Sequence, residues 1–147
     1  MRELMAGLVL IACAAPVANA QSVIVGRVES MKMVGTLQDV LGSKTSDDLW
    51  HGELYELDVS VLKVLSGEDP GETVPVKISG HALDIEGLMI TLVIDPALKF
   101  HVPGQSWWAP TNFPGPACVP KELVEGPAYR PFVAKSFERG GERCVTL

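Results

Sequence analysis

His81, Asp84 and Glu86 crowd into the stretch "GHALDIEG". Imidazole and carboxylate are the ligand types that hold zinc and related cations. With Asp84 and Glu86 on one side of a strand, and His101 or Asp95 approaching, these groups could form a metal site or the centre of a small hydrolase. The competing reading is a solvated turn between two strands, because metal sites need closely arranged and supported ligands. The three histidines, His51, His81 and His101, are each isolated in sequence. None of the serines stands in a G-x-S-x-G nucleophile elbow. The carboxylate pairs Asp47-Asp48 and Glu68-Asp69 lie in turn-like stretches. Two carboxylates facing across a cleft would serve a glycosidase, but their spacing in sequence does not reveal such a cleft. The catalytic residues are therefore read as none.

A second cluster is aromatic. In "QSWWAP", Trp107 and Trp108 would point to opposite faces of a strand. One indole would then fill the core while the other stayed partly open to a sugar, peptide or protein. The alternative is that a neighbouring loop covers both, since large aromatics dominate cores. Trp107, Trp108 and Phe113 are the candidate contact residues for a partner.

The cysteines follow from the N-terminus. "MRELMAGLVLIACAAPVANA" has a charged start, an apolar run too short to span a bilayer and an "ANA" cleavage site. It reads as a secretory signal over residues 1–20, leaving 21–147 as one domain that begins at Gln21. "LIAC" also resembles a lipobox, which would make Cys13 a lipid anchor; soluble export is the leading reading, because the apolar character continues past Cys13. After cleavage only Cys118 and Cys144 remain, and in an oxidising compartment they pair. Closing 25 intervening residues stabilises by roughly 3 kcal/mol in the chain-entropy model. Neither C-x-x-C spacing nor flanking ligands point to a redox or metal role for this pair.

The net charge of −6 argues against nucleic acid, which needs a basic face, and against docking on anionic lipid. No cofactor is implied.

The elements that must position these residues are mostly strands. "SVIVGRVESMKMVG" is a long strand with Gly26 inside it, a position for a bulge or bend that would let it serve two sheets. A loop with one helical turn over 37–41 follows. Tyr55, Leu57, Val59 and Val61 alternate with Glu56, Asp58 and Ser60, the period of a half-buried strand. The phase slips afterwards, which predicts a bulge near Leu62 or Lys63. "SGEDPG" turns the chain into Val74, Val76 and Ile78, with Pro75 marking an edge strand. "GLMITLVID" reads as a strand buried on both faces. Eight of the eleven prolines lie in 96–131, read as loop apart from a strand at 104–110. Short strands are expected at 132–137 and 143–147, with a turn at Gly140-Gly141. The sum is an all-β fold: a small five- to six-stranded barrel with a long proline-rich, disulfide-tied C-terminal region.

The order "VIVGRVES…YELDVSVLKVLSG…ETVPVKI" resembles the first strands of netrin-like and tissue-inhibitor-of-metalloproteinase-like OB-fold modules, including exported bacterial relatives. The likeness covers 22–78 well, and 104–109 loosely through "GQSWWA". It implies the OB scaffold only. The inhibitors chelate zinc through an N-terminal cysteine, and a chain beginning at Gln21 has none; the family's cysteine spacing is also missing. Fold alone does not carry function. The leading expectation is an exported, periplasmic or secreted, non-enzymatic binding or inhibitor-like module of the cell envelope with a protein, peptide or saccharide partner. The alternatives are a periplasmic hydrolase using carboxylates or a metal near His81 and His101, and a lipid-anchored envelope protein.

Overall fold

The structure is a computed structural model that describes residues 21–42, 52–98 and 100–147. Residues 1–20, read as a signal and containing Cys13, lie outside the described residues, as do His51 and Asp47-Asp48.

Strand β1 (Ser22–Thr36) is the spine. It pairs antiparallel with β2 (Glu53–Gly67) along its whole length, and with β4 (Met89–Ile94) along its first half. β3 (Thr73–Gly80) adds to β2, and β5 (Trp107–Pro110) adds to β4. The resulting order is β3-β2-β1-β4-β5. Alternation dictates which side chains face in. Tyr55, Leu57, Val59, Val74, Val76 and Ile78 are buried in the main core, while Glu56, Asp58, Pro75 and Lys77 between them are exposed.

The β1–β2 register shifts at four points, and the one between Val25 and Gly26 shows why the sequence needs it. Leu62 is skipped in the β1–β2 register, which runs from Val25↔Lys63 to Gly26↔Val61. This extra residue is the bulge that the phase slip predicts, and it lets both Val61 and Val64 pack on the main core. Opposite it sits Gly26. A Cβ there would stand 2.4 Å from Val59 Cγ1 and 2.8 Å from the Ser60 carbonyl oxygen, so only glycine allows the strands to approach this closely.

The first half of β1 and nearly all of β4 are buried on both faces. Ile24, Val28, Ile90, Leu92 and Ile94 enter the main core. Val23, Val25 and Val93 face the other way, into a second core completed by the C-terminal region. Within 96–131 that region corrects the expectation of a proline-punctuated loop, while the strand expected at 143–147 is present. β6 (Pro116–Pro120), β7 (Phe137–Arg139) and β8 (Glu142–Thr146) form a three-stranded antiparallel sheet in the order β6-β8-β7. Prolines are tolerated in β6 because it is an edge strand. Between β6 and β7 come 3-10 turns at Lys121–Val124 and Pro127–Tyr129 and the helix α2 (Arg130–Lys135). Phe132, expected in a strand, is therefore helical: Pro131 sits in the first turn of α2, where proline's missing N–H costs nothing. Phe132, Tyr129, Val119 and Val124 are fully or almost fully buried. Gly140 and Gly141, at φ +57° and +88°, make the β7–β8 turn. The one-turn helix α1 (Leu37–Leu41) appears as expected, closed by a capping box between Thr36 and Asp39.

The expected closed barrel is likewise corrected to two antiparallel sheets. The edges of the larger sheet touch at a single parallel bridge, Lys77↔Gln105. β5 begins only at Trp107 and β3 ends at Gly80, so no continuous ladder joins them. The expected disulfide is present: Cys118 and Cys144 face each other in the β6–β8 register and are bonded. Among the described residues no helix is long and apolar enough to cross a membrane. The disulfide is compatible with export.

Candidate functional site

The tryptophans sit where the β4–β5 connection, residues 95–106, crosses β3. A buried amide holds this crossing. Gln105 is 4% exposed. Its Nε2 donates to Ser79 Oγ, and its Oε1 accepts from the backbone N–H of His101 (3.2 Å) and Val102 (3.3 Å). Ser106 N–H donates to the Lys77 carbonyl at 2.8 Å. A buried amide satisfied on both sides fixes the loop's path.

Beyond this pin the edges of β3 and β5 splay. The gap is a hollow of about 180 Å³, lined by Phe100, His101, Trp107 and Trp108 together with Ser79, Gln105 and Ser106. The indoles do point to opposite faces. Trp108 packs on the main core and Trp107 on the second. Each is half-buried, so neither is wholly covered and neither stands free. On the other side of the crossing lies a larger hollow of about 530 Å³. Pro103 and Gly104 form one wall; Ser30, Asp58, Glu56 and Lys77 from the outward side of β1, β2 and β3 form another. Its charges are mixed, and three of the four are engaged: Lys77 Nζ lies 3.6 Å from Glu56 Oε1, and Ser30 Oγ donates to Asp58 at 2.8 Å, while Lys32 adds a further cation. This surface offers hydrogen bonding of both signs beside an aromatic slot, the combination that suits saccharide or peptide backbone.

Phe113 does not join the tryptophans. It is 66% exposed and lines a separate hollow with Leu62, Met89 and Leu147.

His81, Asp84 and Glu86 are exposed and follow the end of β3 instead of sharing a strand. No three of His81, Asp84, Glu86, Asp95 and His101 bring ligand atoms within 4.8 Å of one another among the described residues. The group that does is Cys118, Cys144 and Glu142, whose two sulfurs are bonded to each other.

The segment after β3 is instead clamped by its neighbours. Glu53 accepts from the Tyr55 hydroxyl and, at 2.9 Å, from the N–H of Ala82, which adopts φ +45°. The Tyr55 hydroxyl accepts from Leu83 N–H at 3.2 Å. The Tyr55 hydroxyl, then the Ala82 N–H, hold the Glu53 carboxyl below the usual carboxylate range. The same bond to Glu53, then burial, raises the Tyr55 phenol above its ordinary value.

Gln105, Phe100 and Lys77 escaped sequence reading. Gln105 and Phe100 stand in stretches without periodicity; the alternation of β3 turns Lys77 outward but does not show what crosses over it. Comparison with protein-family models, with curated proteins and with solved structures returns no match for this chain.

Proposed function

We propose that this chain is an exported, non-enzymatic binding module on an OB-like, partly open barrel, and that its partner engages the two hollows flanking the β4–β5 connection. One observation carries the reading: the strand order β3-β2-β1-β4-β5 with a parallel approach of β3 to the segment entering β5. That is how a five-stranded OB barrel closes, and OB folds bind oligomers on the strand 2–3 face between the β1–β2 and β4–β5 loops. The 530 Å³ hollow lies against that face, with Pro103 and Gly104 of the β4–β5 connection over it. Trp107, Trp108 and Phe100 add stacking surfaces beside it.

The partner is a peptide or saccharide strand. Tryptophan fluorescence on titration with envelope glycans and extended peptides, alongside capture from envelope extract, tests this. Trp108→Ala and Gly104→Trp, each folded, are expected to lose the signal and the capture. Unchanged capture by both variants sinks the assignment of the surface. Export has its own test: mass spectrometry of the protein from its native host is expected to find Gln21 as the first residue, and a lipidated Cys13 instead would give the envelope-anchor reading.

A further inference from the structure

The chain's charge is unevenly divided. Residues 1–120 hold seven basic against fourteen acidic side chains, whereas residues 121–147 hold five against four. Three of those five cations, Lys121, Arg130 and Arg143, line a single hollow of about 370 Å³ in the C-terminal region. Its apolar lining comes from Val124 and Val133, which belong to the second core, and from Ala134. Glu125 is the sole acid in the lining.

The cations differ in what they already hold. Lys121 and Arg143 share Glu138, at 3.4 and 3.7 Å. Arg130 is exposed and makes no ion pair among the described residues. A guanidinium without a partner beside an apolar hollow matches a ligand with two ends, one carboxylate and one hydrocarbon. The charge-assisted bond supplies orientation, and the apolar lining supplies burial. In a chain that is otherwise strongly acidic, the local excess of positive charge also directs an anion here over any other hollow. The aromatic slot has no cation in its lining, and the hollow at Phe113 has only Lys63.

We infer that the hollow between Val124, Val133 and Ala134, rimmed by Lys121, Arg130 and Arg143, binds a small amphiphilic carboxylate of the medium-chain fatty-acid class. The volume, near the lower end for small-molecule sites, suits a single short chain. This site is separate from the proposed partner surface, and its failure would leave that surface untouched.

The test uses octanoate, octanol and octyltrimethylammonium below their micelle concentrations, followed by amide chemical shifts and calorimetry on the whole exported chain. Octanoate is expected to shift the amides of Val124, Val133 and Ala134, and octanol to bind about ten-fold more weakly, the effect of one charge-assisted hydrogen bond. Arg130→Gln, at an exposed position, is expected to weaken octanoate by a similar factor. Ala134→Trp, also exposed, is expected to fill the hollow and abolish binding without lowering the unfolding midpoint. Equal affinity for octanol, shifts centred on Phe113 and Leu62, or unchanged octanoate binding in both variants would overturn the assignment. Retention on phosphatidylglycerol vesicles without octanoate binding would overturn it too, by making the occupant a membrane surface.

Discussion

The Tyr129 hydroxyl donates to Asp95 Oδ2 at 2.7 Å, joining the end of β4 to the C-terminal region across 34 residues. Asp95 is a junction. It also accepts from Gln21 Nε2 at 3.1 and 3.2 Å, just before β1, and from its own loop at Ala97 N–H, 2.8 Å. The two cores are thus fastened at one carboxylate. Tyr129→Phe keeps the ring's packing and removes the bond. We expect a loss of about 1.5–3 kcal/mol in urea unfolding, the usual range for a hydrogen bond to a charged group. In Asp95→Ala the loss is larger, and adding Tyr129→Phe to it changes little. Additive losses in this double-mutant cycle would show that the two side chains are not coupled.

The chain has two tyrosines, and both phenols are held protonated. Burial, then the Asp95 carboxylate, raises Tyr129 well above the ordinary tyrosine range. Glu53, then burial, raises Tyr55. The folded protein should therefore show little phenolate absorbance at 295 nm where free tyrosine is half ionised, about pH 10. The sign for stability follows. A raised folded value contributes fully below the unfolded value and is lost as pH rises toward the folded one. Stability should fall above about pH 10, and less steeply in Tyr129→Phe. A normal spectrophotometric titration of the native protein would contradict both assignments.

Glu53 behaves in the opposite sense. Its carboxyl is lowered from 4.5 by the Tyr55 hydroxyl and then by Ala82 N–H. A lowered carboxylate contributes above its unfolded value and stops contributing as pH falls through the folded one. Acidification below pH 4.5 should release the segment after β3, where Ala82 is held at positive φ. Amide exchange at Ala82 and Leu83 should rise there before exchange in β2 does. Glu53→Gln should show the faster exchange already at neutral pH; identical exchange in parent and variant would deny the clamp.

What the sequence made legible depended on periodicity. In 55–61 and 74–78 every second residue is apolar, and each of those side chains is at least partly buried in the main core. The continuous run in β4 announced burial on both faces, because β4 lies between two cores. Periodicity failed after Asp95. Strands of three to five residues, 3-10 turns and prolines leave no pattern long enough to read, so β6 looked like loop, while β8 and the Gly140-Gly141 turn were expected close to where they stand. The site failed for a related reason. Spacing separated the Trp107 and Trp108 faces correctly, yet nothing in "GQS" marks Gln105 as the buried pin, and nothing local says that Phe113 lies elsewhere. Such contacts depend on which edges meet, and that is a property of the whole sheet.

Gly26→Ala tests the close approach at the β1–β2 bulge. The added methyl would meet Val59 Cγ1 and the Ser60 carbonyl at 2.4 and 2.8 Å. Val59 is fully buried and the carbonyl is backbone, so neither can swing aside. A loss of about 1–3 kcal/mol is expected, as for overpacking elsewhere. A neutral effect would mean that the bulge relaxes freely.

Reducing Cys118–Cys144 separates the two sheets by stability. The bond joins β6 to β8 at the middle of their five-pair ladder. Opening it should lower stability by roughly 3 kcal/mol in the chain-entropy model. The loss should be local first. The smaller sheet has eight registered pairs in all, whereas β1 alone pairs with β2 over thirteen. Hydrogen exchange after reduction, or in Cys118→Ala/Cys144→Ala, should therefore rise in β6 and β8 while β2 and β3 keep their protection. The second core shares Val23, Val25 and Val93 with the larger sheet, so one face of β1 and β4 should loosen next. Uniform loss of protection across both sheets would instead make the two cores one cooperative unit.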